Sequence, residues 1–402
     1  MSSSHASSLR AAADDLQNDL VRLRRELHRE PELGLELPRT QEKVLAALDG
    51  LPLETTTGTT LSSVTAVLRG SSPGPVVLLR ADMDALPLAE RADLPYASAV
   101  EGRMHACGHD LHVAMLVGAA RLLAGTDFAG SVIFMFQPGE EGDGGARTMI
   151  EAGVLDAAGE RPVAAYGLHV FSSILPGGVF STRRGPILAA ADQLDITVTG
   201  AGGHGSKPHL AKDPIPATCE MVTALQTFAT RAFDAFDPVV ITVGCFNAGT
   251  AANVIPDEAF FGLTIRSFSP GARARATAGV RDLVNGIAAG HGLTVAIDQS
   301  NGYPVTVNDA AEAEFAASAV RDLYGPDRFV WARDPMPAAE DFSYVLEEVP
   351  GAFVFLGACP PDRDPGTVPF NHAATATFDD AVLADGSLLL AELALRRLAA
   401  VT

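Results

Sequence analysis

Residues 110–123, DLHVAMLVGAARLL, followed by residues 131–136, SVIFMF, decide the fold class. The first run is rich in Ala, Leu and Met and reads as a helix; the second is short and continuously apolar, as a strand covered on both faces must be. Working outward, residues 144–151 resume helix and 163–168 resume strand. Upstream, residues 63–68 and 76–80 read as strands around Gly70-Ser71-Ser72-Pro73-Gly74, a turn that predicts a hairpin or a tight strand pair. Leu16, Leu20, Leu23 and Leu27 share one helical face, that helix must end near Pro31, and a second helix covers residues 39–48. Strands alternating with helices predict a layered α/β domain.

The middle of the chain follows another rule. Strand 193–199, helix 214–232, strands 239–246 and 258–268, helix 272–289 and strand 293–298 give the order β-α-β-β-α-β. One such set makes a ferredoxin-like unit of about a hundred residues, large enough to bury its own core. The tail returns to mixed elements, with a strand at 353–357 and an Ala/Leu helix at 381–398. The expected organisation is a catalytic domain whose first segment is 1–188, an inserted domain at 189–303, and a second catalytic segment at 304–402. No internal repeat, low-complexity tract or long charge block interrupts it.

Composition narrows the partners. The 402 residues are 47% apolar and 19% charged, enough to bury two or three domains. With 29 Lys and Arg against 49 Asp and Glu, the net charge of −20 repels nucleic-acid backbones and anionic lipid. Residues 1–15 lack the basic start and apolar stretch of a secretory signal, and no apolar run approaches the ~20 residues of a membrane span. Cys107, Cys219, Cys245 and Cys359 form no CxxC pair, so neither a disulfide framework nor a zinc ribbon is readable. A cytoplasmic protein with reduced thiols is expected.

The densest group of chemically active side chains is Met104-His105-Ala106-Cys107-Gly108-His109-Asp110-Leu111-His112, just ahead of the first-quoted helix. Glu140 and Glu141 come after a strand and the break Pro138-Gly139, His169 follows strand 163–168, Asp82 and Asp84 follow strand 76–80, and His372 lies in an irregular stretch. Open α/β sheets place their sites at strand carboxyl ends, so parallel neighbours would bring these groups to one rim. Each has an ordinary reading when taken singly: a Glu pair is most often a solvated turn, a lone His a hydrogen-bonded structural residue, and Cys107 a small buried apolar group. Together, a thiol, imidazoles and carboxylates at consecutive strand ends are a divalent-metal ligand set, in which one carboxylate binds metal while its neighbour moves a proton.

Rival chemistries fail on context. Gly70 to Gly74 matches G-x-S-x-G around Ser72, but a nucleophile elbow needs a helix after the turn, and Pro73 and strand 76–80 deny it. Gly200 to Gly205 matches G-x-G-x-x-G, yet the next helix starts only near Pro214, too late to meet a pyrophosphate. There is no Walker A loop and no zinc-deaminase signature.

The runs Leu79-Arg80-Ala81-Asp82-Met83-Asp84-Ala85-Leu86-Pro87, Met104 to Asp110 and Glu140-Glu141-Gly142 resemble the M20 metallopeptidase family, in its amidohydrolase branch of hippurate hydrolases and auxin-conjugate hydrolases. Gly202 to His209, Asn253-Val254-Ile255-Pro256, Thr264-Ile265-Arg266 and Ala339-Glu340-Asp341-Phe342 extend the likeness over nearly the whole chain, in order. The resemblance implies a two-metal catalytic domain interrupted by a lid, the inserted unit above, and a homodimer through that lid. It implies Cys107, His109, Glu141, His169 and His372 as metal ligands, Cys107 lying between the ions. Glu140 is left as general base, and Asp84 as a carboxylate that orients a ligand. The segment around His372, Asn371-His372-Ala373-Ala374-Thr375, departs from the His-Ser-Pro type of the family.

The same likeness makes His204 the lid histidine that stabilises the oxyanion, in dimers from the opposite subunit, and Asn253 and Arg266 the pair that holds substrate, the guanidinium suiting a free carboxylate. The expected reaction is hydrolysis of N-acyl or N-aroyl amino acids, or related small amides, to a carboxylic acid and a free amino acid. A dipeptidase or an N-acetyl-amino-acid deacetylase would use the same machinery, and a silent relative that only binds a small acid or a metal is the reading from another class; an intact Glu140 argues against it. Thiolate favours zinc, while a mixed N/O/S set also admits manganese, cobalt or nickel.

Overall fold

In the computed structural model, which describes residues 3–401, the chain begins with α1 (Ser3–Arg29) and α2 (Pro38–Leu48). Leu20 and Leu27 of α1 are fully buried, and Leu16 and Leu23 pack beside them, as their spacing predicts. Then follow β1 (Leu53–Thr57), β2 (Val64–Arg69), β3 (Ser72–Asp82), α3 (His109–Ala124), β4 (Ala129–Gln137), α4 (Gly145–Glu151), β5 (Ala164–Phe171) and β6 (Phe180–Thr182). The middle comprises β7 (Gly185–Leu188), β8 (Ala190–Thr199), β9 (Gly203–His204), α5 (Pro214–Arg231), β10 (Val239–Ala248), β11 (Val254–Ile255), β12 (Glu258–Ser267), α6 (Pro270–Gly290) and β13 (Thr294–Asn301). The tail adds β14 (Thr306–Asn308), α7 (Ala310–Tyr324), β15 (Phe329–Trp331), α8 (Ser343–Glu348), β16 (Gly351–Gly357) and α9 (Leu383–Val401).

Two units are distinguished. The first holds the chain up to Ile187, Val307–Asp334 and the chain from Asp341; the second holds Leu188–Thr306 and Pro335–Glu340. The short piece Pro335–Glu340 differs from the expected division, because the Ala189 amide donates to the carbonyls of Met336 and Ala338 at 3.0 and 2.8 Å and ties it to the second unit.

The first unit is built on an eight-stranded sheet in the order β1-β2-β4-β3-β5-β16-β6-β15. At its centre β4, β3, β5 and β16 run parallel. Their near-continuous apolar runs are buried because helices cover them, with α1, α3 and α9 packed on one another. The expected β2–β3 hairpin does not form: β4 lies between the two strands, antiparallel to β2 and parallel to β3. From Gly130 onward β4 is buried on both faces and so takes a central place. The turn at Gly70 passes over its start, with the Gly70 and Ser71 amides bonded to the Gly130 and Phe128 carbonyls at 2.8 and 2.9 Å.

In the second unit β10-β12-β8-β13 form an antiparallel sheet, the ferredoxin-like order that the β-α-β-β-α-β sequence implies. One face of β8 is buried at alternate residues, Leu194, Ile196 and Val198 among them, against a core that includes Leu225 of α5 and Val280 of α6. Gly200 to Gly205 open no helix, and Ser72 is exposed at the start of β3. Among the described residues, no helix is long and apolar enough to cross a membrane.

Candidate metal centre

The parallel strands carry their acidic and imidazole groups to one end. Asp82 closes β3, and Glu140 and Glu141 follow β4 after a break at Gly139. His169 lies within β5 and not after it as expected, since that strand runs on to Phe171. Gly108 caps α3 with φ of 86°, and a Cβ there would stand 2.4 Å from the Val170 side chain. Only glycine fits both demands, and the turn it permits puts Cys107 and His109 on either side of the helix start.

These groups meet in the first unit. Cys107 Sγ lies 3.4 Å from His169 Nε2 and 3.3 Å from His372 Nε2. His372 Nε2 is 3.2 Å from Glu141 Oε1, and His109 Nε2 is 4.0 Å from that same oxygen and 3.9 Å from Glu140 Oε2. Asp84 stands behind them. Its carboxylate accepts the backbone N–H groups of Glu140 and Glu141 at 2.9 and 3.0 Å, and its carbonyl accepts Nδ1–H of His109 at 2.8 Å. Asp84, expected to orient a ligand, thus holds the His109 ring through its backbone oxygen and the glutamate backbones through its carboxylate.

Hydrogen bonds settle the ring tautomers. His109 and His169 donate Nδ1–H to the carbonyls of Asp84 and Val170, the latter at 2.9 Å, which leaves both Nε2 lone pairs directed at the cluster. His112 is the opposite case. It bonds Asp82 through Nδ1 at 2.5 Å while Nε2 accepts the Val170 amide at 2.8 Å, so neither nitrogen is free to bind an ion. Asp82 in turn is paired with Arg80, which also reaches Asp341, with Gln137 bridging. Arg80 is the guanidinium shared by two buried carboxylates, and removing it would cost about 3–5 kcal/mol.

Electrostatics of the cluster are those of a cation site. Burial and the neighbouring Glu141 carboxylate push the Cys107 thiol up. Burial and the His112 ring hold His169 well below the ordinary imidazole value, in the neutral form a ligand requires. Hydrogen bonds to Cys107 and Glu141 raise His372 to about 10. For His109 burial opposes protonation, but Asp82 and then Cys107 outweigh it. A dication among the same groups would supply that positive charge instead and draw the thiol proton off.

A metal pair fits these residues. His109 Nε2 is buried without a hydrogen bond, a costly arrangement unless a cation takes its lone pair, and the buried Glu141 Oε1 near it is paired with His372 Nε2 at 3.2 Å. Cys107 belongs both to the group with His109 and His169 and to the group with Glu141 and His372, in each of which the donor atoms lie within 4.8 Å of one another. The two donor groups overlap at this sulfur and would together hold a pair of divalent ions, and sulfur with imidazole suits zinc-like metals.

The other expected residues belong to the second unit. His204 sits on β9 opposite Val254, and its Nδ1 accepts the Ser206 amide at 3.1 Å, so the neutral ring carries its proton on Nε2. The Asn253 carbonyl accepts the Gly205 amide at 2.8 Å, which makes Asn253 a neighbour of His204. Arg266 is half-buried on β12, and burial lowers its affinity for the proton despite Asp192.

Sequence reasoning named His112 in the densest cluster, and Asn371 and Arg80 within longer runs, but gave none of the three a role of its own. His112 lies three residues after His109 and therefore on the same helical face, which is a readable signal. Arg80 and Asp341 are 261 residues apart, and nothing local joins them.

Residues 78–396 match the pattern of Peptidase family M20/M25/M40. The chain is 38% identical to thermostable carboxypeptidase 2 of Saccharolobus solfataricus over 388 residues, covering 95% of this chain and 96% of that protein. It is 34% identical to hippurate hydrolase of Campylobacter jejuni, covering 96% and 98%. Among solved structures it is similar to the Bacillus subtilis YXEP protein, described as a dinuclear metal-binding peptidase of the M20 family, with a TM-score of 0.82, 34% identity and coverage of 96% and 99%.

Proposed function

As a member of Peptidase family M20/M25/M40, in its amidohydrolase branch, the chain is a metal-dependent hydrolase of amide bonds, and from that premise we propose that it cleaves N-acyl, preferentially N-aroyl, amino acids into a carboxylic acid and a free amino acid. The observation that carries this reading is the division of labour at Glu140-Glu141. Asp84 fixes both backbones, and Glu141 turns a buried oxygen toward the ring nitrogens of His372 at 3.2 Å and His109 at 4.0 Å.

Cys107, His109, Glu141, His169 and His372 would hold two divalent ions, with Cys107 shared. When bound, such ions acidify water and polarise an amide carbonyl. The remaining work falls to the chain. Glu140, six per cent exposed, takes a proton from the attacking water and returns it to the leaving nitrogen, so the amine departs neutral. His204 offers Nε2–H as the donor to the oxyanion, and Asn253 and Arg266 hold the substrate carboxylate.

The aroyl preference rests on an aromatic column in the first unit. The His169 ring lies 5.0 Å from Phe171, which stacks at 5.6 Å on Phe370, and Phe370 remains 41% exposed. A partly exposed aromatic side chain two residues from His372 suits an aryl acyl group. A second reading, dipeptide cleavage, is favoured by the similarity to a carboxypeptidase.

The test is hydrolysis of N-benzoyl, N-acetyl and dipeptide substrates by metal-replete protein, read as amino-acid release. N-benzoyl compounds are expected to be cleaved fastest. Release from none of them would overturn the reading, and release from dipeptides alone would replace it with the second.

A further inference from the structure

We propose that Asn371 is a positioning residue that joins the three chain segments bearing Cys107, His169 and His372 into one preformed frame, an inference that rests on the ligand set assigned above. Its side chain is buried at 6% exposure and every polar atom of it is engaged. Nδ2 donates to the carbonyls of Cys107 at 3.2 Å and Val170 at 3.0 Å, and stands 3.9 Å from Cys107 Sγ. Oδ1 accepts the Ser172 amide at 2.9 Å, with Ser172 Oγ at 3.0 Å. Two carbonyls require an N–H₂ group and one amide requires an oxygen, so only one orientation of the carboxamide satisfies the site.

The placement explains a strained neighbour. His372 has φ of 70°, a left-handed conformation rare for a residue with a side chain, and it persists only where surroundings over-determine it. Those surroundings are the Asn371 carboxamide on one side and, on the other, the His372 amide bonded to the Ala106 carbonyl at 2.9 Å. The loop from Pro369 is further tied by Ser172 Oγ, 2.9 Å from the Pro369 carbonyl. The segments come from residues 107, 170 and 371, far apart in sequence, and one carboxamide sets the distances among the three ligands they carry. Preorganisation of this kind favours an ion by removing the cost of assembling its ligands on binding.

The test compares Asn371→Asp, Asn371→Ala and Cys107→Ser by cobalt titration of the metal-free protein, following the thiolate-to-cobalt absorption band and the stoichiometry, with circular dichroism as the control for folding. Asp has the shape of Asn but sets an oxygen against the Cys107 and Val170 carbonyls. Asn371→Asp and Asn371→Ala are therefore both expected to remain folded, weaken cobalt binding by about 10–100-fold and alter the sulfur band. Wild-type affinity and spectrum in Asn371→Asp, beside lost binding in Cys107→Ser, would overturn the proposal. If Cys107→Ser also binds cobalt as wild type does, the ligand assignment itself is wrong. Should Asn371→Ala fail to fold, the isosteric Asn371→Asp and the milder Ser172→Ala carry the same comparison.

Discussion

The Asp84 carboxylate accepts the backbone N–H of Glu140 at 2.9 Å with one oxygen, and its other oxygen takes the next amide, that of Glu141, at 3.0 Å. One buried acid thus fixes the backbones of two adjacent acids, to which the proposed function gives different work. Asp84→Asn keeps one acceptor and places an N–H₂ group against the other amide. The buried N–H left unpaired is expected to cost about 1–3 kcal/mol in urea unfolding, and the displaced glutamates to cost about 10–100-fold in kcat. An Asp84→Asn protein with wild-type stability and turnover would remove Asp84 from this role.

Glu140→Gln separates metal binding from proton transfer. The amide side chain keeps the size of the acid but cannot accept the proton, so bound metal measured by elemental analysis is expected to stay at the wild-type level. Turnover is expected to fall by roughly 10²–10⁴-fold. Near-normal turnover would exclude Glu140 as the base.

Metal removal tests the whole centre. Dialysis against a strong chelator is expected to abolish hydrolysis and lower Tm, since a ligand at about 100 times its Kd stabilises a fold by about 2.7 kcal/mol. Readdition of zinc or manganese should restore both. Ser72→Ala is expected to change nothing, because Ser72 is exposed at the start of β3, away from any helix a nucleophile elbow would need. Activity that survives chelation and is lost in Ser72→Ala would reverse the assignment.

A buried pair behind the centre sets a pH dependence of stability. His28 places Nδ1 2.8 Å from Asp110 Oδ2 and Nε2 3.2 Å from Glu90 Oε1. Burial works against its charged form, but the Asp110 carboxylate and the hydrogen bonds to both acids raise it above the ordinary 6.5. A group raised on folding binds its proton more tightly in the native state, so its contribution is complete below about pH 6.5 and is lost as pH rises through the native value. Unfolding midpoints of metal-loaded protein are expected to fall as pH rises above about 6.5, and to fall less in His28→Gln. Equal slopes in the two proteins would show that the ring carries no such linkage.

Much of the centre was legible because its chemistry is local. Cys107 and His109 flank one glycine, Glu140 and Glu141 are adjacent, and His169 belongs to an apolar strand, so residue type and element order together pointed to one rim. The supporting residues were not. Asn371 acts through carbonyls at 107 and 170, and Arg80 through a carboxylate at 341, contacts made by polar groups that have no periodicity to betray them.

By itself the sequence determined the layered α/β class, the β-α-β-β-α-β order of the middle and the kinds of donor group available at the strand ends, because hydrophobic period, turn chemistry and donor chemistry are written residue by residue. Only the tertiary structure decided that β4 separates β2 from β3, which imidazole nitrogens face the cluster, and that His372 is held left-handed beside Asn371. Strand order and tautomer depend on which distant groups compete for the same hydrogen bonds, and that competition is settled only when the whole unit packs.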